Sequence, residues 1–375
     1  AHPTSKTGQS GLVPGTYIHM PATRTAFHHP TTPAAKCLHL IRLQEQCVRR
    51  DLIAATGLSQ PTITRAVAAL ANSGYIVERS DLSESTGRGR PTMPLELGEP
   101  TWLYAGVAVG TLSTYIALFD LKGRTLRSID VDIPVAHMSP DDFVQHIMAG
   151  LHRLTAGMGR TLATVGVTTS GTVNEDGEVT AANLGWYGVP IRQQMREQFG
   201  VPVEVVSISQ AIVGSEMQSS LDIDTPPVLA LFADDSLACA MSTPTGVMAI
   251  DVTSDHLTTQ GLLDAIGQPA IQSLQEVVAL AEQQPTTRQA LDQRARGLGS
   301  LVATLVDAHS PSTVVIAGSA FIDDPQAPAM FARTVVSEAE HTPQLRMIPS
   351  HREIVRDIAR AVALDRVLRE PLCLV

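Results

Sequence analysis

Residues 57–65 read Gly57-Leu58-Ser59-Gln60-Pro61-Thr62-Ile63-Thr64-Arg65. Gly57 permits a sharp turn, Ser59 is a good N-cap, and Pro61 is tolerated in a first helical turn. The helix start that follows would offer Ser59, Gln60, Thr62, Thr64 and Arg65 outward. Hydroxyls and backbone N–H groups suit phosphate oxygens, whereas Gln60 and Arg65 reach far enough to read base edges in a major groove. A second stretch, Thr86-Gly87-Arg88-Gly89-Arg90-Pro91, sets Arg88 and Arg90 about a glycine, with Pro91 holding Arg90 extended. Guanidinium groups so placed fit a narrow, strongly negative minor groove.

Other chemistry-bearing residues are weaker candidates. The acids Asp234-Asp235 and Asp323-Asp324 are adjacent pairs, and neighbours in a strand face opposite ways, so they read as turn or surface residues. His28-His29 lies too near the start of the chain to suggest a site. Cys37, Cys47, Cys239 and Cys373 are scattered without a CxxC pair, which signals neither a disulfide framework nor a cysteine zinc site.

The elements that must position the first two stretches are legible. A helix is expected from about Ala34 to Gln44, a second from Arg49 to Thr56, and a third from Ser59 to Asn72, stopped at Gly74. In the third, Ile63, Ala66, Val67 and Leu70 share one face. Strands at Tyr75–Arg79 and Met93–Leu97 flank the Arg88 and Arg90 loop and complete a winged helix-turn-helix. After Gly98-Glu99-Pro100 the pattern changes. Leu103–Val109, Ser113–Asp120 and Thr125–Ile133 read as strands, and helices then alternate with strands to the C-terminus, an α/β body. No short-period repeat is visible.

The 375 residues suggest two or three domains. No run of 18 apolar residues predicts a membrane span, and the first residues lack a secretory signal; a cytoplasmic protein without membrane partners is the expectation. The net charge is -10, yet residues 1–100 hold ten Lys and Arg against seven Asp and Glu, a net of +3, leaving -13 for the rest. That asymmetry suits a small DNA-contacting module on an acidic body. Ser10-Gly11-Leu12-Val13-Pro14 with His19-Met20 looks like a cloning leader. Residues 1–32 are therefore expected to be a vector-derived leader and a disordered lead-in.

From residue 34 to 370 the chain resembles the ROK family of repressors and sugar kinases, of the N-acetylglucosamine-repressor and xylose-repressor type. The carriers are the turn-helix at 57–65, the wing at 86–91, Asn183-Leu184-Gly185-Trp186 with Val189-Pro190, and Val165-Gly166-Val167 with Gly171-Thr172-Val173. The resemblance implies a winged helix-turn-helix at 33–98 and a two-lobed actin-like (ribonuclease H-like) domain at 101–375. The small lobe would take about 101–206 plus a C-terminal helix at 352–370, and the large lobe about 207–351.

Set against the family's motifs, the kinase machinery is missing. The first phosphate loop reads Ala108-Val109-Gly110-Thr111-Leu112, without the magnesium-holding acid. The catalytic Asn-Asp pair corresponds to Ser207-Ile208, and isoleucine takes no proton. The second phosphate loop becomes Ala233-Asp234-Asp235-Ser236-Leu237, where carboxylates repel phosphate; only Ala317-Gly318-Ser319 keeps a nucleotide-type glycine turn. The sugar and zinc positions leave Thr253, His256 and Asp264, with the zinc cysteines gone. No catalytic residue, cofactor or metal is expected. The implied function is a transcriptional regulator, a repressor by analogy, whose dead kinase-like body serves oligomerisation and effector sensing. Its partners would be an inverted-repeat DNA operator, further copies as dimer or tetramer, and a small-molecule effector at Ser207, Thr253, His256 and Asp264. An active kinase with an appended DNA-binding domain and a non-enzymatic scaffold are the competing readings.

Overall fold

The structure, a computed structural model, describes residues 14–19, 25–82, 92–99 and 101–374. Its first element is a short strand, β1 (Tyr17–His19). Helix α1 (Pro33–Leu43) follows, with Thr32 accepting a hydrogen bond from the Ala35 N–H and Pro33 in the first turn. Helix α2 (Arg49–Thr56) ends at Gly57, whose φ of 67° is the left-handed conformation that glycine adopts without strain. Helix α3 (Gln60–Asn72) is capped by Ser59 and buries Ile63, Ala66, Val67 and Leu70. Strands β2 (Ile76–Glu78) and β3 (Leu95–Leu97) pair antiparallel as the wing. The expected winged helix-turn-helix therefore forms, its strands shortened at their ends.

Strands β4 (Trp102–Ala108), β5 (Ser113–Phe119) and β6 (Thr125–Asp132) come next, then helix α4 (Pro140–Thr155) and β7 (Thr161–Thr169). A small antiparallel sheet is built from β8 (Thr172–Val173), β9 (Val179–Ala181) and β10 (Trp186–Val189). Helix α5 (Ile191–Phe199), β11 (Val203–Ser207) and helix α6 (Ile208–Ser219) complete this stretch. The main sheet runs β11-β7-β4-β5-β6, with β11, β7 and β4 parallel and β5 and β6 antiparallel. Trp186 of the Asn183–Trp186 motif is fully buried, edge-on to Phe143 of α4 at 5.1 Å between ring centroids. The motif is thus a core anchor, and Asn183 accepts from the Ser170 hydroxyl at 2.8 Å.

The remaining strands are β12 (Val228–Ala233), β13 (Leu237–Ser242), β14 (Val247–Thr253), β15 (Thr313–Ala317) and β16 (Gln344–Met347). Helices α7 (Thr259–Ile266), α8 (Leu274–Ala281) and α9 (Pro285–His309) separate β14 from β15; α10 (Ser319–Ile322) and α11 (Ala327–Glu338) separate β15 from β16. The sheet order is β1-β14-β13-β12-β15-β16. Without β1, it repeats the order of the first sheet: third, second, first, fourth, fifth strand. This duplicated order is the actin-like, ribonuclease H-like arrangement.

The chain divides into two compact units. One comprises Ala22–Thr225, Met241–Ala249 and Arg352–Val375, so it holds the winged helix-turn-helix and the first main sheet. The other holds β1 with Pro226–Ala240 and Ile250–His351. Helix α12 (His351–Arg369) lies, from Arg352 onward, in the first unit. It packs on β4 and β7 where Gly106 and Gly166 leave room: a Cβ at either would run into the backbone of Ala359 or Val362.

Three expectations change. The lead-in at 1–32 is not simply disordered over its described part. β1 pairs with β14, Thr16 donates to Ser254 at 2.9 Å, and Phe27 is buried against Gly214. His28 and His29 bond the carbonyls of Thr245 and Thr243. The open edge of β14 and the apolar Ala26 and Phe27 supply these contacts. Second, the division does not fall at residue 207, because α6 stays with the first unit. Third, Asp324 is buried rather than a surface acid, paired with Arg288 at 2.6 Å.

Candidate nucleic-acid interface

Helix α3 is amphipathic in the sense the sequence demands. Its apolar face is buried, and Gln60, Thr64 and Arg65 are exposed on the other side. The left-handed Gly57 turns the chain between α2 and α3, so the start of α3 projects as a helix-turn-helix requires. Ser59 and Thr62 are partly committed within the turn. The Ser59 hydroxyl accepts from the Thr62 N–H at 3.4 Å and lies 2.9 Å from the Thr62 hydroxyl. Gln60, Thr64 and Arg65 are exposed beyond this turn, and Ser59 shapes the helix start.

One ion pair ties the wing base to α2, and others close the wing base on itself. Arg49 at the start of α2 pairs with Glu78 of β2. Arg79 reaches Glu96 of β3 at 2.7 Å and Asp81 at 2.6 Å. The wing tip with Arg88 and Arg90 lies outside the described residues.

Helix α1 carries two polar residues that the sequence pattern did not single out. His39 and Arg42 are both buried, on the face that meets the C-terminal end of α6. His39 Nε2 lies 2.7 Å from the Ser220 carbonyl; a carbonyl only accepts, so Nε2 carries the hydrogen. Burial pushes the imidazole down to about 4. Arg42 Nη2 donates to the Gln218 carbonyl. Burial, followed by the charge of Arg360, lowers its guanidinium to about 10. Both side chains thus donate to carbonyls at the C-terminal end of α6, where the charge of Arg42 is favourable. Their one available signal was their place among the apolar positions of α1.

Nearby, an apolar groove of about 350 Å³ lies between α3 and the C-terminal Pro371–Cys373 turn, with Arg65 on its edge. Tyr75 Oη donates to the Pro371 carbonyl at 2.8 Å and fixes that turn.

The expected effector residues separate by unit. Ser207 is buried in the first unit, where it caps α6: its hydroxyl accepts from the Gln210 N–H, and Gln210 Oε1 accepts from the Ser207 N–H. Ile208 is buried in the first turn of that helix. The other three belong to the second unit. Thr253 ends β14 opposite Tyr17, and His256 is exposed in the Asp255–Leu257 turn. Asp264 is exposed on α7, accepting from Gln260 at 2.8 Å.

The segment at residues 233–237 is stitched to the Gly318 turn within the second unit. Ser319 donates to Asp234 at 2.5 Å, and burial raises the Asp234 carboxyl. A Cβ on Gly318 would strike the Ala233 backbone. Arg294, buried, donates to the Leu257 carbonyl at 2.9 Å and is within 3.4 Å of Thr259. Among the described residues no group of three His, Cys, Asp or Glu is placed to hold a metal, and no helix is long and apolar enough to cross a membrane.

Residues 104–231 match the ROK family. A transcriptional regulator of Mycobacterium bovis is 29% identical over 349 residues, covering 80% of this chain and 78% of the relative. An uncharacterised protein of Sinorhizobium fredii is 27% identical over 152 residues, 40% of this chain and 36% of the relative. Among solved structures, a ROK family transcriptional regulator homologous to the E. coli MLC protein superposes with a TM-score of 0.73 at 18% identity, covering 91% of this chain and 98% of that one. A ROK hexokinase from Thermus thermophilus gives 0.57 at 18% identity, covering 70% and 99%. Regulator and kinase thus share the body, and the regulator's match extends over more of this chain. Residues 104–231 thus form a ROK family domain, set in a fold that ROK regulator and kinase structures share.

Proposed function

We propose that the protein is a DNA-binding transcriptional regulator, a repressor by analogy, whose kinase-like body phosphorylates no sugar. The observation that carries the reading is α3: a capped helix after a left-handed glycine turn, with Gln60, Thr64 and Arg65 exposed at its leading end. The regulator named in Mycobacterium bovis supports it. The body supports the loss of catalysis. Ile208 cannot act as a base, and Asp234 with its bonded Ser319 occupies the loop where a nucleotide's phosphates would need backbone N–H groups and no carboxylate.

Operator binding as a symmetric dimer or tetramer follows from the small footprint of one winged helix and from two-fold matching to an inverted repeat. Arg88 and Arg90 would enter the flanking minor groove. An ordinary hexose is not the expected effector: Ser207 already caps α6, and Ile208 offers a sugar hydroxyl no partner.

A gel shift on random duplex DNA tests the reading, with retardation that weakens steeply as salt rises. Absence of retardation at low salt would favour a protein-contacting scaffold. A coupled assay with ATP and hexoses or amino sugars should give no turnover. Calorimetry with glucose, N-acetylglucosamine and N-acetylmannosamine should show no saturable binding; saturation abolished by His256→Ala would restore the family's sugar site.

A further inference from the structure

Tyr75, between α3 and β2, commits each of its polar groups to a different part of the chain. Its N–H donates to the Leu70 carbonyl in the last turn of α3 at 3.0 Å, after Gly74 has turned the chain at a φ of 77°. Its carbonyl accepts from the Gly98 N–H at 2.9 Å, where the chain leaves β3 for the body. Its buried hydroxyl donates to the Pro371 carbonyl at 2.8 Å. A Cβ on Gly98 would lie 2.6 Å from the Gly74 carbonyl oxygen, so the exit from β3 is pressed against the exit from α3.

The Pro371 side of this junction belongs to the body. The Pro371–Cys373 turn follows α12 and packs on α1 and α3. Arg369, in the last turn of α12, is tied to buried Glu204 of β11 at 3.2 Å and to Asp365 at 3.8 Å. Farther back, α12 is seated on β4 and β7 at Gly106 and Gly166. A second joint lies at α1, where His39 and Arg42 donate to the carbonyls of Ser220 and Gln218 at the end of α6. Both joints lie within the first unit. Swinging the DNA-binding element about one of them would break the other, exchanging buried hydrogen bonds for bonds to water.

We infer that Tyr75 is a positioning residue: with the Pro371–Cys373 turn it locks α3 to the body, so that the protein selects the spacing between two half-sites as well as the bases within each. The step from joint to spacing rests on the regulator reading and on a two-fold assembly built through the bodies. In such an assembly, locked elements hold two copies of α3 at one separation and one rotation. Elements on a loose tether would instead reach half-sites over a range of spacers. Each added base pair rotates the second half-site by roughly a tenth of a helical turn, so a locked pair is sensitive to single steps.

Anisotropy titrations of the full chain test it, on one selected half-site and on inverted repeats whose spacer grows by single base pairs through about one helical turn. The parent should prefer one spacer and bind those two base pairs away about tenfold more weakly or worse. Tyr75→Phe keeps the ring and removes the hydroxyl. It should shrink that contrast by about threefold or more while holding the single half-site within about twofold of the parent. A role in folding alone would weaken half-site and repeat together and leave the contrast as it was. Equal binding at every spacer by a parent that holds the half-site overturns the inference, and so does a parent-like contrast in Tyr75→Phe. Hydrogen exchange without DNA separates the joint from the regulator reading. The Gly98 amide, and the Cys373 amide bonded to the Glu370 carbonyl, should exchange about threefold faster or more in Tyr75→Phe, with Val67 inside α3 unchanged. Unchanged exchange at both amides overturns the joint whatever the DNA result. A parent that binds no duplex removes the regulator reading, and the exchange rates then decide the joint alone.

Discussion

At Arg65 the guanidinium is exposed on a helix whose other face is fully packed, so its loss should touch DNA and little else. Arg65→Ala is expected to cost about 1–3 kcal/mol at a selected site and to relax base choice there, with thermal stability within about 0.5 kcal/mol of the parent. Anisotropy titrations on matched and mismatched duplexes check this. His39 is the opposite case, a buried side chain whose titration reports on folding. Its folded value is near 4, below the unfolded 6.5. The unfolded state therefore binds the extra proton between those values, and stability present above about pH 6.5 is lost as pH falls toward 4. The loss should approach about 3 kcal/mol by order of magnitude, and His39→Gln should flatten that part of the profile. Urea unfolding at a series of pH values measures both. Residue identity predicted the first role and not the second. Gly57, Ser59 and Arg65 are defined by neighbours a few positions away, whereas His39 and Arg42 are defined by carbonyls 181 and 176 residues further along.

Helices α1, α6 and α12 carry the link between the DNA-binding element and the body. The end of α6 is held by His39 and Arg42 on one side, and Gln218 donates to the Ala361 carbonyl of α12 at 2.9 Å on another. Helix α12 in turn sits on the sheet at Gly106 and Gly166. Gly106→Ala should force that helix outward and destabilise the unit by about 1–3 kcal/mol, read as a lower denaturation midpoint with unchanged slope. An unchanged midpoint would show that α12 is free to give way. Local signals made the winged helix readable as elements: caps, a left-handed glycine, and apolar spacing of period 3.6 and 2. The lead-in was misread because β1 has no signal of its own; it is a strand only because β14 offers an open edge. Asp324 was misread for a similar reason, since Arg288 lies on α9 and adjacent acids carry no trace of a distant partner.

Over the whole molecule, two sheets share one strand order although the sequence shows no repeat, because connectivity sets that order while side chains diverge freely. Family motifs, rather than periodicity, made the actin-like body legible. The same motifs picked out Ala108, Ile208 and Asp234 as departures from the family's pattern. An acidic body with a slightly basic first hundred residues would, on the proposed reading, confine DNA contact to one end of the chain. The claim at stake is that this end reads a specific duplex sequence. Selection of bound duplexes from a randomised library by the full chain, followed by anisotropy of the winner across a salt series, tests it most directly. The account predicts an enriched inverted repeat, an affinity that falls linearly in logarithm with the logarithm of salt, and loss of enrichment in Arg65→Ala. A library that emerges unenriched, with no salt-dependent binding to any duplex, would contradict it.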